Sequence, residues 1–261
     1  MLIKSLQKIN ILLINFIYII LLISIPIFFS IFLKTNNVFE LPKLILFKIL
    51  VLILIFLLTE QFVFQADKLR IYKKYKNYLI FLSLVLLYFA FHTFFISINS
   101  NLSLFGTYDR LEGTTSYIYY FLFFLASLYF FRKQKNIKLA FFVMFFSGII
   151  ASIYAIMQAW GLDPLNWSES TQLRATSTFG QPNNLGSFLL LVVPFGVYFI
   201  VIFKKWYLKI LFGLGVIINL LALFYTYSTA SWLGFIGGGI IVLILFLLLS
   251  NKKFRITNKK I

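Results

Sequence analysis

Residues 174–203 read RATSTFGQPNNLGSFLLLVVPFGVYFIVIF, and the change of character inside this stretch decides what kind of protein the chain is. From Ser187 to Phe203 the run is apolar. A helix rises about 1.5 Å per residue and a bilayer's hydrocarbon core is about 30 Å thick, so apolar runs of about 18 residues or more read as membrane spans. The preceding residues, Arg174 to Gly186, are of another kind. They carry a lone Arg174, Thr and Ser, Gly180, Pro182, Asn183 and Asn184. Pro182 suits the first position of a helix, where a missing N–H costs nothing, and an Asn beside it can cap the free N–H groups of the first turn. A helix that begins there turns its positive dipole end toward the polar stretch. Two readings fit. One is an ordinary capped membrane helix with a polar lead-in; the other, with Arg174 close by, is a seat for a phosphate or a carboxylate.

The rest of the chain repeats this alternation. Hydrophobic residues make up 61% of the 261 positions and charged residues only 12%, too apolar a balance for a water-soluble domain of this size. The expected fold class is all-α: a polytopic membrane helical bundle of eight spans forming one membrane domain over residues 1–261. The spans are expected near Ile9–Leu33, Leu44–Phe64, Tyr78–Ile98, Thr114–Phe131, Ile137–Trp160, Asn183–Phe203, Tyr207–Tyr225 and Trp232–Leu249. The first run is too long for a signal-peptide core and lacks a small-residue cleavage site, so it reads as a retained helix, kinked by Pro26. Cysteine is absent, which excludes disulfides and thiolate metal sites.

The net charge of +17 would suggest nucleic acid if it were clustered on a soluble face. It is not. Most of the 24 Lys and Arg residues fall at the N-terminus, in the breaks after the second, fourth and sixth spans, and in the tail NKKFRITNKKI. By the positive-inside rule both termini then face the cytoplasm, and the charge serves topology and anionic lipid headgroups. Glu40, Asp109, Glu112, Asp163 and Glu169 fall on the opposite side, together with the Arg174–Asn184 stretch. The polar site is expected to face outward.

Three segments together carry a resemblance. GTYDRLEGTTSYIYY follows the third span, RATSTFGQPNNLGSFLLLVVP leads into the sixth, and YSTASWLGF opens the eighth. The combination resembles the O-antigen ligase family. The first segment supplies Gly106, Tyr108, Arg110 and Gly113 before a Tyr-rich helix; the second supplies Arg174, Gly180, Pro182, Asn183 and Gly186. VFELPK, Val38 to Lys43, is similar to the break after the family's first helix. The Gly-x-Pro-Asn element is the most specific of these.

The resemblance implies a metal-independent transferase in the bacterial cytoplasmic membrane, with no cofactor. Its donor would be a glycan on an undecaprenyl-pyrophosphate carrier, and its acceptor a lipid, a glycan or a protein side chain. Arg174, Gly180, Pro182, Asn183, Asn184 and Arg110 would hold the pyrophosphate, whose developing charge fixed guanidinium groups and helix N-termini stabilise. A close alternative is an O-antigen polymerase, which uses the same donor. The chain departs from the family pattern in two places. Ala230 and Ser231 stand where an Arg often follows Ser at the eighth span, and the large outer loop with its His base and the later helices are not represented, so the chain reads as the family's N-terminal portion, unable to catalyse transfer alone. His92, the only histidine, lies within the third span. As a candidate base it competes with a buried His bonded to a hydroxyl or a backbone oxygen.

Other residues are read two ways. Arg110, between Asp109 and Glu112, forms either a local charge cluster or a substrate grip. Trp160, Trp167 and Trp232 either anchor at headgroup level or stack on sugars. The Gly237–Gly239 run suggests close helix packing. No metal cluster, P-loop or dinucleotide fingerprint is present. Two functions of another class remain open: a flippase or exporter of lipid-linked sugars, which would place charges in mid-membrane, and a non-catalytic membrane scaffold.

Overall fold

Long apolar runs with few Gly or Pro interruptions leave the backbone one economical choice in lipid, the α-helix, because every N–H and C=O must be satisfied within the segment. A computed structural model shows that choice throughout. It describes residues 2–30, 38–64, 70–108, 111–165 and 171–257. The helices are α1 (Leu2–Ile27), α2 (Glu40–Phe64), α3 (Arg70–Lys74), α4 (Lys76–Phe91), α5 (Ser100–Phe105), α6 (Thr114–Phe130), α7 (Gln134–Ala159), α8 (Pro182–Ile202), α9 (Trp206–Tyr225) and α10 (Thr229–Thr257), with no strand among the described residues. Six of them, α1, α2, α4 with its continuation to Ile96, α7, α8 and α9, are long and apolar enough to cross a membrane. Two shorter apolar helices, Thr114–Phe130 and Thr229–Ile244, correspond to the fourth and eighth expected spans. The protein is an all-helical, multi-pass membrane protein.

The helices group into two compact units, Met1–Ser147 and Gly148–Ile261. In the first, α1, α2 and α6 bury Ile14, Tyr18, Val51, Leu54, Leu58 and Phe130. Tyr18 stacks on Phe130 at 4.0 Å between ring centres and shares a 2.7 Å hydrogen bond with the Ser127 hydroxyl. That bond satisfies the one polar atom its burial brings inside. Asn10 of α1 donates to Glu60 of α2 at 2.8 Å, a polar tie of the kind that links helices in lipid. Pro26 stands in the last turn of α1, which closes at Ile27. The third span is not a uniform helix: after Phe91 it widens into one π-turn, His92–Ile96.

In the second unit the core is made of small residues, Ala151, Ala155, Ala175 and Ala222, with Leu185, Leu189 and Leu223. Small side chains let helix backbones approach closely. Gly148 faces Val192 and Asn219, and Gly186 faces Ser231 so closely that an added Cβ would collide with its hydroxyl. Asn219 is fully buried and accepts from Ser152 Oγ at 2.8 Å. The expectation for Gly237–Gly239 fails. A Cβ added at any of the three would meet no heavy atom within 4 Å, so this run packs against nothing among the described residues.

Candidate functional site

The Arg174–Gly186 stretch is held at three levels, and none of them is a loose loop. At its base, Gln158 of α7 is fully buried and its Oε1 accepts from the backbone N–H groups of Thr176 (3.2 Å) and Ser177 (2.7 Å). Ser177 takes a positive φ of 51° and donates its own hydroxyl to the Ala151 carbonyl at 2.7 Å. A short 3-10 turn, Ser177–Phe179, then ends on Gly180 at φ 68°, the left-handed region that glycine enters without steric cost. From the side, Ala175 N–H donates to the Tyr225 carbonyl at 2.9 Å, which joins the stretch to the end of α9.

Above this base stands Arg174. Its Nε donates to the Thr226 carbonyl at 3.2 Å and its Nη2 to Asn183 Oδ1 at 3.2 Å. Both Arg174 and Asn183 are exposed. The two bonds fix the plane of the guanidinium, while its remaining N–H groups carry no bond to a described residue.

The structure corrects one local expectation. Pro182 is the first residue of α8, as its chemistry predicts, but no Asn caps the helix. The capping position is Gln181, with extended φ and ψ of −139° and 128° and no side-chain cap bond. Asn183 has spent its carbonyl oxygen on Arg174 instead. The first intrahelical bond is Leu185 N–H to the Gln181 carbonyl, at 3.2 Å. The backbone N–H groups of Asn183 and Asn184 are therefore left pointing out of the helix end beside the guanidinium. Arg174, Gly180, Pro182, Asn183 and Asn184 thus lie together at the start of α8.

The turn that receives Arg174 is itself ordered by hydroxyls. Thr226 Oγ1 donates to Leu223 O at 2.8 Å and accepts from Ser228 N–H at 3.2 Å, Ser228 and Ser231 share a 2.9 Å hydroxyl bond, and Ser231 N–H donates to Ser228 Oγ at 3.4 Å. Ser228 thus caps the start of α10, and Ser231 packs, buried, against Gly186. Around the rim, Trp160 is exposed and donates from its indole N–H to the Tyr225 hydroxyl at 3.1 Å. Asp163 accepts from Tyr154 and from Leu165 N–H, at 3.1 and 3.0 Å.

Asp109 and Arg110, Trp167 and Glu169 lie outside the described residues. His92 belongs to the first unit, opens the π-turn and is exposed, with the Tyr88 ring 6.2 Å away. The expectation of a buried histidine is wrong by one residue. Its neighbour Thr93 is the buried group, bonded to the Thr114 hydroxyl at 2.7 Å and the Ser103 hydroxyl at 3.1 Å. Thr93 is the buried residue of the π-turn.

The same region explains the glycines of the GTYDRLEG segment. An added Cβ at Gly113 would strike the Leu104 carbonyl and the Gly106 backbone, and Gly106 itself has φ 81°. They let two backbone segments touch.

No cluster of three metal-type ligands occurs among the described residues. Comparison with protein-family models, with curated proteins and with solved structures returned no match.

Proposed function

We propose that the protein is a membrane glycan transferase whose Arg174 seat holds the pyrophosphate of an undecaprenyl-pyrophosphate donor, in the manner of an O-antigen ligase. One observation carries this reading: a positioned, exposed guanidinium, with donors that bond no described residue, lies beside the uncapped first turn of α8. Between Lys138 and Lys204, Arg174 is the only Lys or Arg, so a positive charge in this part of the chain is concentrated at one point. A planar fork plus two backbone N–H groups suits the oxygens of a diphosphate.

The transfer itself is a single displacement. The acceptor hydroxyl oxygen attacks the sugar's anomeric carbon and gives its proton to solvent water, while the bond from that carbon to the pyrophosphate oxygen breaks. The leaving diphosphate takes the electron pair, and the seat stabilises the charge that develops there. Ligation and polymerisation share this donor half and differ only in the acceptor. The loop charges support the bacterial cytoplasmic membrane, with the seat on the outer side.

The test is donor recognition in nanodiscs, using radiolabelled undecaprenyl pyrophosphate and, in parallel, undecaprenol. Charge-assisted contacts predict about 10–100-fold tighter binding of the pyrophosphate lipid. Equal affinity for the two would end the transferase reading.

A further inference from the structure

The junction between α3 and α4 carries a feature unrelated to the seat. At the junction of α3 and α4 the chain turns at Tyr75, and Tyr72 donates its hydroxyl to the Leu125 carbonyl of α6 at 3.0 Å. Burial pushes that hydroxyl up to about 12, so Tyr72 is a neutral, fixed donor at any physiological pH. The bond pins the elbow to α6. Beside it lies an open groove of about 470 Å³, with Tyr72, Lys73 and Lys76 among its lining residues. Its length is lined by Leu79, Ile80, Ser83 and Leu84.

The lining residues of α4 fall at 76, 79, 80, 83 and 84. That is one continuous stripe on a single helix face, rising about 12 Å from the ammonium of Lys76 to the side chain of Leu84. Lys76 is also the first residue of the membrane-spanning segment Lys76–Ile96. The groove therefore has Lys73 and Lys76 at the start of that segment and apolar side chains farther along it. Lys74, by contrast, points to the Tyr75 ring, 5.4 Å from its centre, and does not line the groove.

We propose that this groove is a binding site for one anionic glycerophospholipid, with the phosphate between Lys73 and Lys76 and an acyl chain along Leu79, Ile80 and Leu84. The charge pattern selects the class of lipid. Two lysines and, among the described residues, no carboxylate line the groove, so a choline or ethanolamine headgroup finds none of these residues to receive its own cation. The apolar stripe separates this site from a diffuse basic surface, which would attract charge without holding a chain. Ile80 and Leu84 are 48% and 58% exposed, open enough for a lipid chain to lie against them.

The experiment uses the full chain in mixed micelles containing phosphatidylglycerol and phosphatidylcholine of identical acyl chains, with bound lipid counted by native mass spectrometry. The wild type should retain phosphatidylglycerol about tenfold over phosphatidylcholine, and raising the salt should erode that preference. The K73A/K76A variant should bring the ratio near one. Ile80→Trp with Leu84→Trp should fill the groove and lower retention of both lipids. A control pair in another basic turn, K204A/K205A, should leave the ratio unchanged. A wild type without preference would overturn the site, as would a K73A/K76A variant that keeps it. If K204A/K205A lowers the ratio as much as K73A/K76A, the binding is diffuse and the site does not exist.

Discussion

Arg174 Nη2 and Asn183 Oδ1 lie 3.2 Å apart, and this single contact joins the polar stretch to the first turn of α8. Asn183 is the second residue of α8, and the capping position, Gln181, makes no side-chain cap bond, so the first-turn N–H groups stay open. The pair aims the cation at a helix end whose N–H groups are open to an anion.

Replacing Asn183 separates these effects. Asn183→Asp puts a carboxylate against Arg174 and should cancel the seat's charge, lowering affinity for undecaprenyl pyrophosphate at least tenfold. Asn183→Ala only frees the guanidinium and should cost several-fold, in line with about 1 kcal/mol for one lost hydrogen bond. Equal losses in the two variants would mean that the Asn183 side chain does not act through Arg174's charge.

Gln158 holds the base of the stretch. Gln158→Leu leaves the buried N–H groups of Thr176 and Ser177 without their acceptor, at about 1–3 kcal/mol for each buried donor left unsatisfied. Thermal unfolding in detergent should show a clear drop, and Gln158→Glu, which keeps the oxygens, a smaller one. An unchanged melting temperature in Gln158→Leu would show that the stretch is anchored elsewhere.

Glycines in the second unit should respond in opposite directions. Gly186→Ala collides with Ser231 and should destabilise by about 1–3 kcal/mol, with Ser231→Gly relieving much of it. Gly238→Ala meets open space inside a helix and should be neutral or stabilise by about 0.5–1 kcal/mol. Thermal unfolding of the four proteins reads both signs, and a loss at Gly238 equal to that at Gly186 would contradict the packing described for α10.

Orientation is tested independently of binding. The chain has no native cysteine, so Gln172→Cys and Asn77→Cys can each be probed in intact cells with an impermeant thiol reagent. Position 172 should label and position 77 should not. The reverse pattern would put the Arg174 seat on the cytoplasmic side.

These features differ in how far the sequence exposes them. The helices are legible because lipid admits little else, and Pro182 marks the start of α8 to within one residue of the expected Asn183. Arg174 and Asn183 are visible as residue types, but not their mutual bond, since an Asn after Pro reads first as a cap. Gln158 went unread, although a lone amide in the apolar run IYAIMQAW was the available signal. The π-turn at His92 has no periodic signature, so Thr93 rather than His92 faces inward without warning from the sequence. Gly237–Gly239 misled for the opposite reason: a small-residue run permits close packing but does not supply a partner.

The central claim rests on the Arg174 side chain, and its most direct test is the dissociation constant for undecaprenyl pyrophosphate in nanodiscs carrying wild type, Arg174→Ala or Arg174→Lys. A charge-assisted, partly enclosed contact contributes about 1.5–3 kcal/mol, or about 10–100-fold in affinity, so Arg174→Ala should weaken binding by that factor. Arg174→Lys should recover only part, because it keeps the charge and loses the planar fork that reaches Asn183 and Thr226 together. Unchanged affinity in Arg174→Ala would contradict the account and leave the stretch as the lead-in to an ordinary membrane helix.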